Sequence, residues 1–249
     1  MSVSVSLLGF ALVIGLGLLH VYAGHLPISG TRFERHWASF GAGVSLAYVF
    51  VDVLPLLARH EMSLAPQGHG AGNGLIQSVY PIALAGLAAF YCLELIARRQ
   101  RLTHSSNPQA TSAEDGVFWV HMAAFALYNG VLGYLLRETE DHGLFACLLL
   151  FVALALHFVV TSTSLRQHHQ LLYDRYGRWL LAFTVVCGYL LGTQYMVEPT
   201  TIALLWAIVV GGLILNVFKD ELPEHRNASM PAFLSGLAGY TALLINLSH

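Results

Sequence analysis

The sequence predicts an all-helical integral membrane fold of eight spanning helices, arranged as three, two and three, with the first and last triplets related as inverted repeats. Three observations carry this expectation. Of the 249 residues, 56% are hydrophobic and only 10% charged, whereas a soluble domain carries about a quarter charged residues. That much apolar surface cannot be hidden from water in a globule, so a polytopic membrane protein follows. The apolar residues fall into eight runs, each close to the ~20 residues that a helix rising 1.5 Å per residue needs to cross a bilayer. Finally, Val49-Phe-Val-Asp-Val-Leu-Pro55 returns as Val217-Phe-Lys-Asp-Glu-Leu-Pro223, with Gly43 over Gly211 and Leu46 over Ile214 on the same offset.

In chain order the runs cover 5–23, 38–58, 75–97, 117–136, 144–165, 179–197, 200–218 and 231–247. The first has no Lys or Arg before Arg32, so it lacks the basic leader of a secretory signal and reads as a permanent helix. The second ends in the Asp52-Val-Leu-Pro55 flag. After the third comes the longest polar connection, 98–116, read as a cytoplasmic linker inside a single polytopic domain spanning 1–249. The fourth and fifth runs stand between the repeats. Only the turn around Glu198-Pro-Thr-Thr201 separates the sixth from the seventh, which ends in the second flag. The eighth completes the repeat.

Orientation follows from the cations. With the N-terminus outside, the cytoplasmic connections hold Arg32, Arg35, Arg98, Arg99, Arg101, Arg166, Arg175, Arg178, Lys219 and Arg226, and the external ones only Arg59 and Arg137. Ten against two is a strong positive-inside asymmetry, and it supports an even number of spans. Both termini then face outward in a multi-pass cell-membrane protein. The first flag closes a helix running outward and the second a helix running inward, the layout of inverted repeats in secondary transporters. A formal net charge of -2 carries no nucleic-acid signature. Cys92, Cys147 and Cys187 lack paired metal spacing and read as buried small hydrophobes. Lys219, Asp220, Glu221 and Glu224 read as a solvated helix end with local ion pairs.

Phe40-Gly-Ala-Gly-Val-Ser-Leu46 leading to Asp52-Val-Leu-Pro55, Tyr80-Pro-Ile with Tyr91-Cys-Leu-Glu94-Leu-Ile, and Gly211-Gly-Leu leading to Leu222-Pro-Glu224 together resemble the second, third and seventh helices of the ZIP family of divalent-metal transporters. The resemblance covers most of the chain and implies a carrier whose fourth and fifth helices hold a pair of metal ions. Here the ligand positions of that family are largely replaced. Phe125 stands where it has histidine, Ala126 for asparagine and Asn129 for glutamate. In the fifth helix His157 is kept, with Phe158 and Thr161 in place of the carboxylates.

The remaining polar residues define the expected site. His121, Phe125 and Asn129 are spaced by four and share a helix face, as do His157 and Thr161. Facing each other, His121, Asn129, His157 and Thr161 would form a polar patch at membrane depth, with Asp52 joining if it reaches. His121 and His157 are the candidate metal ligands; Asp52, Asn129 and Thr161 are candidate pathway residues. Two imidazoles and neutral oxygens make a poor zinc site, so at most one divalent ion is expected and no cofactor is required. Interhelical hydrogen bonding explains the two histidines equally well. A carboxylate at the centre of a span costs about 2.5–3.5 kcal/mol, so Asp52 reads either as lining a water-filled path or as sitting near the outer interface by Arg59. The function expected is a divergent carrier of a metal ion or small solute, or a transport-inactive scaffold, sensor or partner subunit. Its surroundings are the bilayer, the solute and, in a homodimer, a second copy. No Ser-His-Asp order or His-Glu-x-x-His helix marks an enzyme.

Overall fold

The computed structural model describes residues 3–23, 32–64, 78–104, 111–139, 144–168, 170–221 and 229–247. Among them the chain is almost entirely helical, without a strand, and forms eight helical units. These are α1 (Val3–Tyr22); α2 (Arg32–Tyr48) continued as α3 (Leu54–Leu64); α4 (Val79–His104); α5 (Thr111–Thr139); α6 (Leu144–His168); α7 (Gln170–Leu172) continued as α8 (Arg178–Gln194); α9 (Pro199–Asn216); and α10 (Met230–Leu247). Among the described residues, five stretches are long and apolar enough to cross a membrane: His36–Met62, Val79–Ile96, Phe118–Arg137, Cys147–Arg166 and Pro199–Lys219. Two shorter apolar helices, Leu7–Tyr22 and Met230–Asn246, accompany them.

The flag does not end the second helix. Residues Val49–Val53 form a π-helical turn, with the Leu54 N–H donating to the Val49 carbonyl, and the helix runs on through Pro55 to Leu64. Proline has no N–H to offer the carbonyl four residues back, and widening the turn by one residue re-registers the ladder instead of breaking it. The second flag carries the same π turn at Val217–Glu221. Residues 222–228, with the Pro223 end of the flag, lie outside the described residues. The 98–116 connection is also shorter than expected. Helix α4 continues to His104 and α5 begins at Thr111, because Arg and Gln are good helix formers once past the apolar run. Between α8 and α9, Tyr195 is extended, Glu198 occupies the N-cap position without a side-chain capping bond, and Pro199 opens the next helix, where its fixed φ is favoured. The Tyr134 hydroxyl pins this turn, accepting from Val197 N at 3.1 Å and donating to the Tyr195 carbonyl at 3.3 Å.

Packing sorts the helices into two groups. In one, α1, α5, α6 and α8 share their most extensive contacts; in the other, α2–α3 packs on α10 and α4 packs on α9. Glycine sets the closest crossings, as expected where backbones rather than apolar bulk drive association in lipid. A methyl on Gly43 would overlap the Phe233 carbonyl and crowd Leu237 N; one on Gly211 would overlap the Ala83 carbonyl and crowd Leu87 N. Likewise Gly236 abuts the Phe40 carbonyl and Gly86 the Ile208 carbonyl. The two crossings are counterparts, residue for residue. Phe40 and Ile208 stand three positions before Gly43 and Gly211, and Gly86 and Gly236 three positions after Ala83 and Phe233. The repeat seen in the sequence is therefore also a repeat of contacts with the partners exchanged: α2 meets α10 as α9 meets α4.

Cys147 is buried, but Cys92 is exposed on α4 and Cys187 is half-buried. The expectation of three buried cysteines holds for one, since periodicity alone does not say which face of an apolar helix meets its neighbours.

Candidate functional site

The polar centre of the molecule gathers around His20, a residue of α1 that the sequence reading passed over. Its ring is fully buried and bridges two other helices. The Asn129 amide nitrogen donates to the Phe125 carbonyl at 2.8 Å, which turns Oδ1 toward α1. His20 Nε2–H therefore donates to Asn129 Oδ1 at 2.8 Å. That leaves Nδ1 of the neutral ring as acceptor, and the Ser162 hydroxyl donates to it at 2.9 Å. Phe158 covers the ring, with centroids 4.2 Å apart. The Tyr173 hydroxyl, from the π turn Tyr173–Gly177, donates to the His20 carbonyl at 3.4 Å. Asn129, expected as a pathway residue, is thus tied into a latch joining α1, α5 and α6.

A second cluster lies next to it. His157 Nε2 stands 3.4 Å from the Tyr128 hydroxyl and 3.5 Å from the Thr161 hydroxyl, both at the long end for hydrogen bonds. His157 and Thr161 are each nearly inaccessible and share the face their spacing predicts. His121 is directed elsewhere: its Nε2–H donates to the Leu93 carbonyl of α4 at 3.1 Å. Between the two histidines stand aromatic rings. Phe125 packs edge-on to His121 at 6.4 Å and to Tyr128 at 6.5 Å, and Tyr128 meets His157 at 5.9 Å. The common facing of His121 and Asn129 along α5 is not enough to join them, because Phe125 occupies the turn between and brings Phe90 of α4 against it at 5.7 Å.

Asp52 sits half-buried in the first π turn. It is within electrostatic reach of Tyr48, Arg59 and Tyr240, and Tyr48 in turn reaches Tyr128. Arg59 stands on the same helical unit as Asp52, and Tyr128 is the tyrosine beside His157. Among the described residues, no group of three or more His, Cys, Asp or Glu side chains is placed to hold a metal.

Ion pairs bracket the helix ends. Lys219 Nζ lies 2.8 Å from Glu94 Oε2, both partly buried. Lys219 thus ties the end of α9 across to α4, a pairing the expectation of a solvated end with local ion pairs did not include. The side chains of Asp220, Glu221 and Glu224 lie outside the described residues. Arg166 makes a two-pronged bond with Asp174, at 2.8 and 3.1 Å, between the end of α6 and the turn before α8. The Glu61 carboxylate accepts from Val79 N at 2.7 Å and Ser78 Oγ at 2.8 Å, capping the N-terminus of α4, where a negative charge is favoured.

Lys219→Ala is expected to cost more than an exposed pair's 0–1 kcal/mol, about 2 kcal/mol, because Glu94 would be left partly desolvated. A double-mutant cycle with Glu94→Gln, read by thermal unfolding in detergent, checks it; additive losses would contradict it.

No protein-family model matches this chain, and no curated protein matches it.

Proposed function

We propose that this chain is a multi-pass membrane carrier of ZIP-like 3+2+3 design, with its termini outside and 98–116 on the cytoplasmic side, moving a small hydrogen-bonding solute or a single ion along helices two, four and five. The observation that carries the reading is the exchange of partners between the two halves, with Gly43 on α10 matched by Gly211 on α4. A pseudo-twofold relation of this kind is the design of alternating-access carriers. Each repeat is divided between the two packing groups, α1 with α5, α6 and α8, and α2 and α4 in the other. Alternation would then move one group against the other, not one repeat against the other.

The path suggested passes Asp52, Tyr48, Tyr128, His157 and Thr161, and the bonds of His157 to Tyr128 and Thr161 are long enough to be exchanged for bonds to a solute. The His20–Asn129–Ser162 latch is saturated and would hold the moving group together. Purified protein in proteoliposomes tests this. Uptake of a small polar solute or a metal ion, reduced in His157→Ala and in Asp52→Asn, is the expected result. A second reading, a transport-inactive scaffold or sensor, is favoured by the rings of Phe125, Tyr128 and Phe158 that fill the space between His121 and His20. Flux no greater than in protein-free vesicles for every solute tried would select it.

Two-ion zinc binding is not expected. Neutral imidazole, amide and hydroxyl donors leave four positive charges uncompensated in a low-dielectric interior, and Asn129 and Thr161 cannot carry charge. Calorimetric titration with zinc, manganese and iron(II) checks this, and two-site submicromolar binding that is lost in His157→Ala would refute it.

A further inference from the structure

Among the described residues, Asn216 Nδ2, at the end of α9, and Ser45 Oγ, on α2, are buried without a hydrogen-bond partner, in residues only 3% and 4% exposed. Both lie within stretches apolar enough to cross a membrane. Lipid tails cannot satisfy an amide or a hydroxyl, and native interiors leave such atoms unpaired only where water or a ligand supplies the bond. Neither residue is remote from the polar centre. Gly41, one turn before Ser45 on the same face of α2, crosses α6 at Leu156, the neighbour of His157, where an added methyl would meet Leu156 at 3.7 Å. The π turn Val217–Glu221, which follows Asn216, packs on both α2 and α6. The offset that carries Gly43 to Gly211 also carries Tyr48 to Asn216. The amide thus holds in the second repeat the place that Tyr48 holds in the first, directly before the π turn, and Tyr48 is within electrostatic reach of Asp52 and Tyr128.

We propose that Asn216 and Ser45 line a hydrated chamber that leads from the His157 cluster toward the Lys219 end of α9, with water supplying the bonds they lack. What passes through the chamber rests on the carrier reading. There a small hydrogen-bonding solute replaces the water, and Asn216 holds it on one half of the path as Tyr48 holds it on the other. An amide offers a donor and an acceptor together, and a hydroxyl turns to offer either. The pair therefore suits a solute that both gives and accepts hydrogen bonds.

The test is modification of introduced cysteines by a water-soluble, membrane-impermeant reagent, trimethylammonium-ethyl methanethiosulfonate, on protein in lipid nanodiscs. Peptide mass spectrometry locates the adduct, so Cys92, Cys147 and Cys187 stay in place. Each site is compared with its apolar neighbour, Asn216→Cys with Val217→Cys and Ser45→Cys with Val44→Cys. Val217 and Val44 are 1% and 2% exposed, so burial alone predicts equal protection within each pair. A hydrated chamber is expected to make Asn216→Cys and Ser45→Cys react several-fold faster than their neighbours. Asn216→Cys reacting no faster than Val217→Cys would overturn the proposal; where size exclusion shows that variant to misfold, Ser45→Cys against Val44→Cys decides in the same way. Labelling needs no transport. A labelled chamber in a protein without flux would therefore remove the carrier reading alone, and flux without labelling the chamber alone.

Discussion

Gly188→Ala is expected to lower the melting temperature by about 6–12 °C, the equivalent of roughly 3 kcal/mol in a chain of this size. A β-carbon there would lie inside the Gly130 carbonyl, and no flexible side chain can move to make room, because the obstacle is backbone. Nor can the helices part locally. Gly133 meets the Val185 carbonyl and Tyr189 N on the same crossing, and α5–α8 is the most extensive contact in the molecule. Separating them would forfeit dispersion contacts along the whole interface. The internal duplication sharpens this into a comparison: Gly43→Ala and Gly211→Ala should cost nearly equal amounts, since their surroundings are counterparts. Gly239→Ala, with nothing within 4 Å, should cost nothing. Fluorescence-detected melting in detergent reads all four. A Gly188→Ala protein that melts with the wild type would mean that α5 and α8 are not in backbone contact.

His20→Ala should destabilise by about 3–5 kcal/mol, against about 1 kcal/mol for His121→Ala. Removing the His20 ring strands Asn129 Oδ1 in a dry interior, at about 1–3 kcal/mol, takes one partner from Ser162 Oγ, which keeps the Tyr173 hydroxyl as a neighbour, and opens a void against Phe158. His121 donates to the Leu93 carbonyl, an acceptor inside α4 that its own helix also serves, so its removal strands no acceptor there. Interhelical hydrogen bonds in membranes average less, about 0.6 kcal/mol, so the size of the effect rests on the stranded Asn129 Oδ1 and the void together. His20→Phe keeps the volume and removes only the polar bonds. The difference between the two His20 variants therefore separates the void from the orphaned groups. If His20→Ala melts no lower than His121→Ala, the latch is not what joins α1 to α5 and α6.

Element order was legible in the sequence because most of the chain falls into apolar runs of the length that suits a hydrocarbon solvent. Runs of apolar residues near twenty long have one inexpensive conformation there, the helix, and all eight runs coincide with helical units. The flag was legible as a duplication, and the π turns fall on it in both copies. What it does to the helix was not: Pro55 reads locally as a terminator, and only the turn widened at Val49–Val53 lets α2 continue into α3. Spacing correctly paired His157 with Thr161, which share one helix. It did not join His121 to Asn129, which turn to different helices, His121 to Leu93 of α4 and Asn129 Oδ1 to His20 of α1.

His20 illustrates the same division. A histidine inside the first apolar run signals that its ring must find partners, and that much the residue alone determines. The partners lie 109 and 142 positions away, beyond the reach of any helical period. Composition, run length, charge asymmetry and the repeated flag belong to the chain by itself, since each reflects a local balance between water and lipid. Which polar groups meet was decided only when the glycine crossings brought the backbones together, because contact between helices depends on the shape of both surfaces and not on the sequence of either.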